Sequence, residues 1–403
     1  MKFKWPLADN NFSWLDRLKI CSFFLNPFNR WTQDKFVREY EDLAAKYTGN
    51  KYAVFVSSGS TANQLIAQKV KDDLIKKNLW PQKNKVIVNA VTWQTNVSVW
   101  TREGFEPIFL DIDLTDFSLD HNKLEQFLEQ NSHSVACVFP TSVLGYTPNL
   151  FRLKVLEEKY RDIKFALDNC ENFFGEFGRN NICSSFTSST SCFIAHQIST
   201  GQEGGFIFTN NEDEYIYYLL SRAHGLLRNL IPYKHKLSNS NIIEELNNRL
   251  VDKQFDFQTL SSNYRGSDVA AFCGLLDFKR VDKYKKQRIN IYSKFKELLS
   301  KDKFYLPESR LNILDVAFCL PIIIKNSNSE LLKKVKCVLD ENNIERRGFI
   351  SGNMLRQIPY QKYGNYQDYE NAEYLNNFAL YIGLNFKTTE RDIKKLCKLL
   401  NEL

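Results

Sequence analysis

Six short runs rich in β-branched and aromatic apolar residues recur through the first half of the chain: KYAVFVSS, NKVIVNAV, EPIFLDID, SVACVFPTS, IKFALDNC and GGFIFTN. Each is followed by a turn of small or polar residues and then by an amphipathic stretch. A run that is apolar at successive positions must be covered on both of its faces, which a sheet achieves when helices cross over it. The pattern therefore predicts βαβ units, an α/β fold and a mainly parallel sheet over residues 50 to about 225.

Beyond the sheet, residues 268–299 predict one long helix or two. The segments VAFCLPIII, NSELLKKVKCVLDENN, AEYLNNFALYI and TERDIKKLCKLLNEL then predict a smaller α+β unit. The expected division is a large domain over residues 1–280, N-terminal arm included, and a smaller domain over 281–403. No internal repeat or low-complexity tail is present.

Charge and cysteine usage exclude several classes of function. The net charge is +7, but the lysines are spread along the chain among acids, the pattern of a solvated surface with room for a polyanionic ligand. Nothing resembles a nucleic-acid-binding module. The nine cysteines form no CxC or CxxC and do not cluster with the five histidines, so no zinc or iron–sulfur site is expected. With no signal-like N-terminus and no 18-residue apolar segment, the expectation is a cytoplasmic protein with reduced thiols and no membrane partner.

In a parallel α/β sheet, ligands bind beyond the carboxyl ends of the strands, so the residues after each run carry the functional reading. After the first run, SSGSTANQLIAQ (57–68) opens a helix; its N-terminal N–H groups and dipole suit a phosphate, though an ordinary Ser/Thr cap gives the same letters. After the second, Trp93 stands at a helix start, fit either to lie on a flat ring or to pack in the core. Asp168 ends the fifth run, where a buried carboxylate needs a cation or hydrogen-bond donors: a protonated pyridine nitrogen, a magnesium ion or a helix cap would each serve. Finally SSTSCFIAHQISTGQEGG (188–205) brings Ser191 and His196 before a glycine-led strand, and a lone histidine is more often structural than catalytic.

Taken in order, these pieces resemble the DegT group of nucleotide-sugar aminotransferases, enzymes of the fold type I pyridoxal-phosphate class. The likeness extends to SRAHGLLRN (221–229), NYRGSDVAAFCG (263–274) and RRGFISGN (346–353), and so spans nearly the whole chain. It departs from the group at one decisive position: His196 stands where the cofactor-binding lysine is expected, and no lysine occurs between Lys164 and Lys234. The same exchange is found in the branch of nucleotide-linked 4-keto-6-deoxysugar 3-dehydratases, one member of which uses an iron–sulfur cluster and a reductase that the cysteine spacing here argues against. Two smaller departures are Leu167 in place of an acid, and an extra residue near Gln202, between His196 and Glu203.

The resemblance implies a fold type I aminotransferase fold, pyridoxal or pyridoxamine 5'-phosphate as cofactor and L-glutamate as amino donor. It implies a nucleotide-diphosphate sugar as substrate, with GDP expected, and a homodimer with shared active sites. Imidazole can move a proton but cannot form the imine that lysine forms. His196 is accordingly expected to shuttle the proton while the C-3 hydroxyl of the sugar departs, releasing ammonia and a 3-deoxy-4-keto product without an external reductant. Carried over by position, Asp168 would meet the pyridine nitrogen, Trp93 would stack on the ring, and Glu171 would touch its edge. Gly59, Ser60 and Ser191 would hold the phosphate, with Asn263 reaching it from a neighbouring subunit, and His224, Arg228 and Arg347 would face the nucleotide sugar. A sugar 4-aminotransferase that shuttles protons through histidine and a catalytically silent binding protein are the rival readings.

Overall fold

The computed structural model describes residues 3–9, 12–249 and 255–403. Two helices, α1 (Trp14–Leu25) and α2 (Lys35–Thr48), precede the sheet; α1 opens with a Ser13/Asp16 capping box and α2 ends at Gly49. Five of the six apolar runs become the parallel-type strands β1 (Tyr52–Val56), β2 (Lys85–Asn89), β3 (Glu106–Leu110), β4 (Val135–Val138) and β5 (Lys164–Asp168). Helices α3 (Gly59–Lys76) and α4 (Gln94–Arg102) follow β1 and β2.

Alternate residues of these strands feed two separate cores. Val54, Val56, Val86 and Val88 pack toward Leu65 and Ile66 of α3. Ala53, Phe55 and Ile87 pack on the other side with Val37 and Tyr40 of α2. Because both faces are covered, nearly every residue of β1 and β2 is buried.

In chain order a hairpin follows, β6 (Glu176–Phe177) with β7 (Asn180–Asn181), and then β8 (Thr187–Ser191) and β9 (Gly205–Thr209). The main sheet has seven strands in the order β1-β9-β8-β5-β4-β2-β3. The sequence reading differs from this sheet in two ways. TSSTS, read as a hydroxyl-rich lead to the histidine, is the fully buried strand β8. Its hydroxyls find partners: Thr187 donates to Glu214 Oε2 at 2.6 Å and Ser188 donates to the Cys183 carbonyl at 3.1 Å. GGFIFTN, read as part of the parallel set, is β9 and runs antiparallel to both neighbours, β1 and β8.

Residues 268–299 form two helices, Asp268–Phe278 and Val281–Leu298. The C-terminal part holds β10 (Phe304–Tyr305), β11 (Ile313–Leu314), β12 (Cys319–Ile324), β13 (Arg346–Gly348) and β14 (Ala379–Gly383). Four of them make an antiparallel sheet ordered β10-β12-β14-β13, while β11 joins the hairpin β6–β7. The N-terminal arm, assigned by sequence to the large domain, lies on this second sheet: Trp5 bridges Ile344 and donates its indole N–H to the Gly383 carbonyl at 2.8 Å.

Beneath the site, Glu41 of α2 and Arg222 form a buried ion pair. Glu41 also accepts from the Phe55 amide at 2.8 Å, and Arg222 donates to the Phe55 carbonyl at 3.1 Å. The pair thus fixes the end of β1, from which the turn Ser57–Gly59 departs.

Candidate active site

At the carboxyl edge of the main sheet lies a cavity of about 520 Å³. Its floor comes from the ends of β1, β5 and β8, and β9 enters the sheet at the same edge, where Gly205 pairs with both Val56 and Ser191. Of the sequence candidates, Gly59, Ser60, Trp93, Asp168, Glu171, Ser191, His196 and Arg347 line this one cavity.

At one end is a cradle for an anion. Ser58 caps α3, its side chain accepting from the Thr61 amide in a reciprocal capping box, which leaves the first helical N–H groups at Gly59 and Ser60 facing out of the helix. A methyl group on Gly59 would stand 2.7 Å from Cys170 Sγ and 3.0 Å from Ser191 Cβ, so only glycine lets the turn come this close. Ser60 Oγ donates to Thr95 Oγ1 at 3.1 Å, linking the starts of α3 and α4.

At the centre is Asp168, 3% exposed. Its carboxylate accepts from Asn63 Nδ2 at 2.9 Å, Asn96 Nδ2 at 3.2 Å and the Cys170 amide at 2.9 Å. These three donors satisfy a buried carboxyl group and set its direction. Asn63 and Asn96 were not singled out from sequence; they lie one turn into α3 and α4, and only the packing of both helices over β5 brings them to one carboxylate.

Trp93 stands at the N-cap of α4 with its side chain 58% exposed, so its ring is a wall of the cavity and not part of a core. Glu171 accepts from the Leu144 amide at 2.7 Å. Burial pushes its carboxyl up to about 8; the charge of Asp168 adds to the shift and the Leu144 amide opposes it.

His196 sits in the loop between β8 and β9. Its Nδ1 is 2.7 Å from the Cys170 carbonyl oxygen, which can only accept; Nδ1 therefore carries the proton and Nε2 is the basic nitrogen. The ring packs on Phe318 at 5.0 Å between centroids. Burial lowers its pKa to about 4, opposed by the Cys170 bond and the Asp168 charge and reinforced by Arg288. The residue is thus a neutral base in this pocket. No lysine lines the cavity among the described residues.

Around Gln202, where the sequence pattern implies an extra residue, the chain makes a tight turn. Thr200 Oγ1 donates to the Glu203 carbonyl at 2.9 Å and accepts from the Gln202 amide at 3.3 Å. Gly201 adopts φ +69° and backs directly onto Phe12. Glu203 still reaches the cavity. Leu167, in place of an acid, is buried in the apolar core of the sheet.

Three sequence candidates lie away from this cavity. His224 Nε2 is 3.2 Å from Arg265, whose Nε also bonds Asn263 at 3.1 Å, and Arg228 lies over the Phe255 ring at 5.2 Å. They lie on two paired segments, Ala223 bridging Asn263 and Leu226 bridging Phe257, next to the end of β1, where the Ser57 amide donates to the Tyr264 carbonyl at 2.9 Å. Missed from sequence are Glu345 and Tyr381, which reach the cavity from the second sheet, and Leu7 and Ala8 from the arm. Among the described residues no cluster of His, Cys, Asp and Glu is suited to a metal ion, and no helix is long and apolar enough to cross a membrane.

The fold and the site together define a class. The chain belongs to the DegT/DnrJ/EryC1/StrS aminotransferase family, whose sequence profile it matches over residues 25–401. Within that class it is similar to GDP-4-keto-6-deoxy-D-mannose 3-dehydratase of Escherichia coli O55:H7 (strain CB9615 / EPEC), with 30% identity over 385 residues, 94% of this chain and 95% of the relative. The solved structure of the E. coli enzyme with bound hydrated PLP superposes with a TM-score of 0.86 at 26% identity, covering 99% of this chain and 100% of that one. A structure of GDP-4-keto-6-deoxymannose-3-dehydratase with a trapped PLP–glutamate geminal diamine gives a TM-score of 0.85 at 25% identity, covering 98% and 100%.

Proposed function

We propose that this chain is a pyridoxal-phosphate-dependent 3-dehydratase that removes the C-3 hydroxyl of a GDP-linked 4-keto-6-deoxysugar, with L-glutamate as the source of nitrogen and electrons. The observation that carries this reading is His196: a neutral imidazole, fixed through Nδ1 and basic at Nε2, lines a cavity that no lysine lines among the described residues.

The residues of the cavity fit the cofactor. The Gly59–Ser60 helix start and Ser191 suit its phosphate, Asp168 with its three donors suits a protonated ring nitrogen, and Trp93 offers a flat face. The cofactor, when bound, supplies a conjugated ring that takes up and returns an electron pair. Asp168 keeps the ring nitrogen protonated. Glu171, a neutral carboxyl below about pH 8, brings an O–H donor to the ring edge. His196 Nε2 takes a proton and, once charged, can return it to the departing hydroxyl, which leaves as water. Hydrolysis of the C–N bond to the product would then release the nitrogen supplied by glutamate as ammonia, the water consumed there matching the water lost from C-3. The sum balances: glutamate is oxidised by two electrons to 2-oxoglutarate and ammonia, and the sugar is reduced at C-3 by the same pair.

Arg347 is assigned to an anionic group of a substrate. Asn263, His224 and Arg228, which do not line the cavity of their own chain, are assigned to the site of a neighbouring subunit in a homodimer. All nine cysteines are unpaired, in keeping with a cytoplasmic setting.

The test is an ammonia and 2-oxoglutarate assay on the purified chain with pyridoxal phosphate, L-glutamate and GDP-4-keto-6-deoxymannose. Equimolar release of both, absent in His196→Asn, supports the reading. Accumulation of an aminosugar without ammonia would replace it with a 4-aminotransferase.

A further inference from the structure

We propose that the N-terminal strap, residues 4–9, is a fixed wall of the active site, and that Glu345 is the positioning residue that sets both this wall and Arg347. The kinetic part of this inference rests on the function proposed above; the docking of the strap does not.

The strap is bonded along its whole length. The Lys4 amide donates to the Asn343 carbonyl at 3.1 Å, and the Glu345 amide donates to the Trp5 carbonyl at 2.9 Å. Asn385 Nδ2 donates to the Pro6 carbonyl at 3.0 Å, and Asp9 pairs with Lys387. The approach to β14 is so close that a methyl group on Gly383 would stand 2.6 Å from both Leu7 Cα and the Pro6 oxygen. A frayed terminus needs none of these contacts.

What the strap reaches is the cavity itself. Leu7 and Ala8 line it, and they also line a small enclosed space on the other side of His196, bounded by Arg288 and Asn385. The strap therefore stands between the catalytic imidazole and the outside on that side.

Glu345 joins the two functions in one carboxylate. Its Oε2 accepts from the Leu7 amide at 2.9 Å, and its Oε1 accepts from Arg347 Nη2 at 3.1 Å. Glu345 is well covered, whereas the Arg347 side chain is 62% exposed toward the cavity mouth. One edge of the guanidinium is thus pinned by a group that is itself pinned to the strap, and the remaining N–H groups are presented to an incoming anion. A carboxylate of the amino donor and the diphosphate of the sugar nucleotide share the required chemistry.

Three full-length variants separate the links. Leu7→Pro removes the strap's amide donor and leaves both side chains intact. Glu345→Ala removes both bonds. Glu345→Gln keeps an oxygen for the Leu7 amide and loses the charge facing Arg347. Hydrogen exchange of residues 3–9 reads the docking without any substrate, and pyridoxal-phosphate absorbance together with thermal unfolding checks the fold.

In wild type and Glu345→Gln the strap is expected to be protected, and in Glu345→Ala and Leu7→Pro it is not. With strap docking lost, KM for either L-glutamate or the GDP-sugar should rise about tenfold with kcat within about twofold, and measuring the two KM values separately identifies which anion Arg347 takes. Loss of protection with both KM values unchanged would make the strap a purely structural element and overturn the proposal, as would a strap still protected in Glu345→Ala. If the wild-type chain turns over no GDP-sugar, the function reading fails, while the exchange data still decide the docking.

Discussion

The Nδ1 atom of His196 lies 2.7 Å from the carbonyl oxygen of Cys170, the second residue after Asp168. The backbone that positions the Asp168 carboxylate thus also orients the imidazole. Asp168 in turn accepts from the Cys170 amide. Carboxylate and imidazole are held through the amide and the carbonyl of one residue, so the geometry of one constrains the other.

His196→Asn should bind pyridoxal phosphate about as well as wild type, because the Asp168 network and the Gly59 cradle are untouched. Its rate of ammonia release should fall by about 100-fold or more, the usual weight of a positioned acid–base group. Parallel absorbance titration and ammonia assay check both halves. His196→Lys should acquire an imine absorbance band that the wild type lacks.

Glu171 is held mainly in its neutral form at pH 7 by burial. Glu171→Gln retains a donor of similar shape, so its cofactor affinity should stay within about threefold of wild type, whereas Glu171→Ala should lose about tenfold. The pH dependence separates the two donors. As pH rises through about 8 the wild-type carboxyl loses its proton and its affinity should drop, while the Gln variant stays flat.

Gly59→Ala places a methyl group against Cys170 and Ser191. The turn must then move outward, which should destabilise the apo-protein by about 1–3 kcal/mol and weaken cofactor binding at the phosphate end. Urea unfolding with and without pyridoxal phosphate measures both. Gly49→Ala, where no atom lies near the added methyl but φ is +73°, is the control for backbone strain alone.

His121 is 4% exposed and neither ring nitrogen has a hydrogen-bond partner among the described residues. Burial lowers its pKa to about 4, with Arg152 assisting against Asp113, Glu125 and Asp120. The sign follows from the folded value lying below the unfolded one. Between about pH 6.5 and 4 the unfolded chain takes up a proton that the native histidine refuses, so this residue makes stability fall as pH falls through that window. His121→Leu should therefore lose less stability between pH 7 and 5 than wild type, by about 2 kcal/mol in urea unfolding. An identical pH slope in the two proteins would refute the assignment.

The alternation of apolar runs and helical patterns was sufficient for the parallel core and for several of the residues now facing the cavity, because strand ends in such sheets converge on one edge. Asp168 and Gly59 are of this kind, each following directly from its run, whereas Ser191 and His196 lie at and after β8 and took their expected roles from the family resemblance. The same logic failed at β8, whose hydroxyls carry no apolar signal; they are buried because Glu214, Cys183 and neighbouring strands satisfy them. It also missed the reversed direction of β9, since an apolar strand reads alike in either sense.

The sequence by itself determined the fold class and the small-residue turn that opens the helix after the first run, because these are local: they depend on residue type and on spacing within a few positions. Only the tertiary structure decided which nitrogen of His196 is basic, that Asn63 and Asn96 converge on Asp168, and that Glu345 joins Leu7 to Arg347. Those relations span 26 to 338 positions of chain. They exist only once helices and sheets have packed, since no periodicity in a sequence records which distant donor will meet a given acceptor.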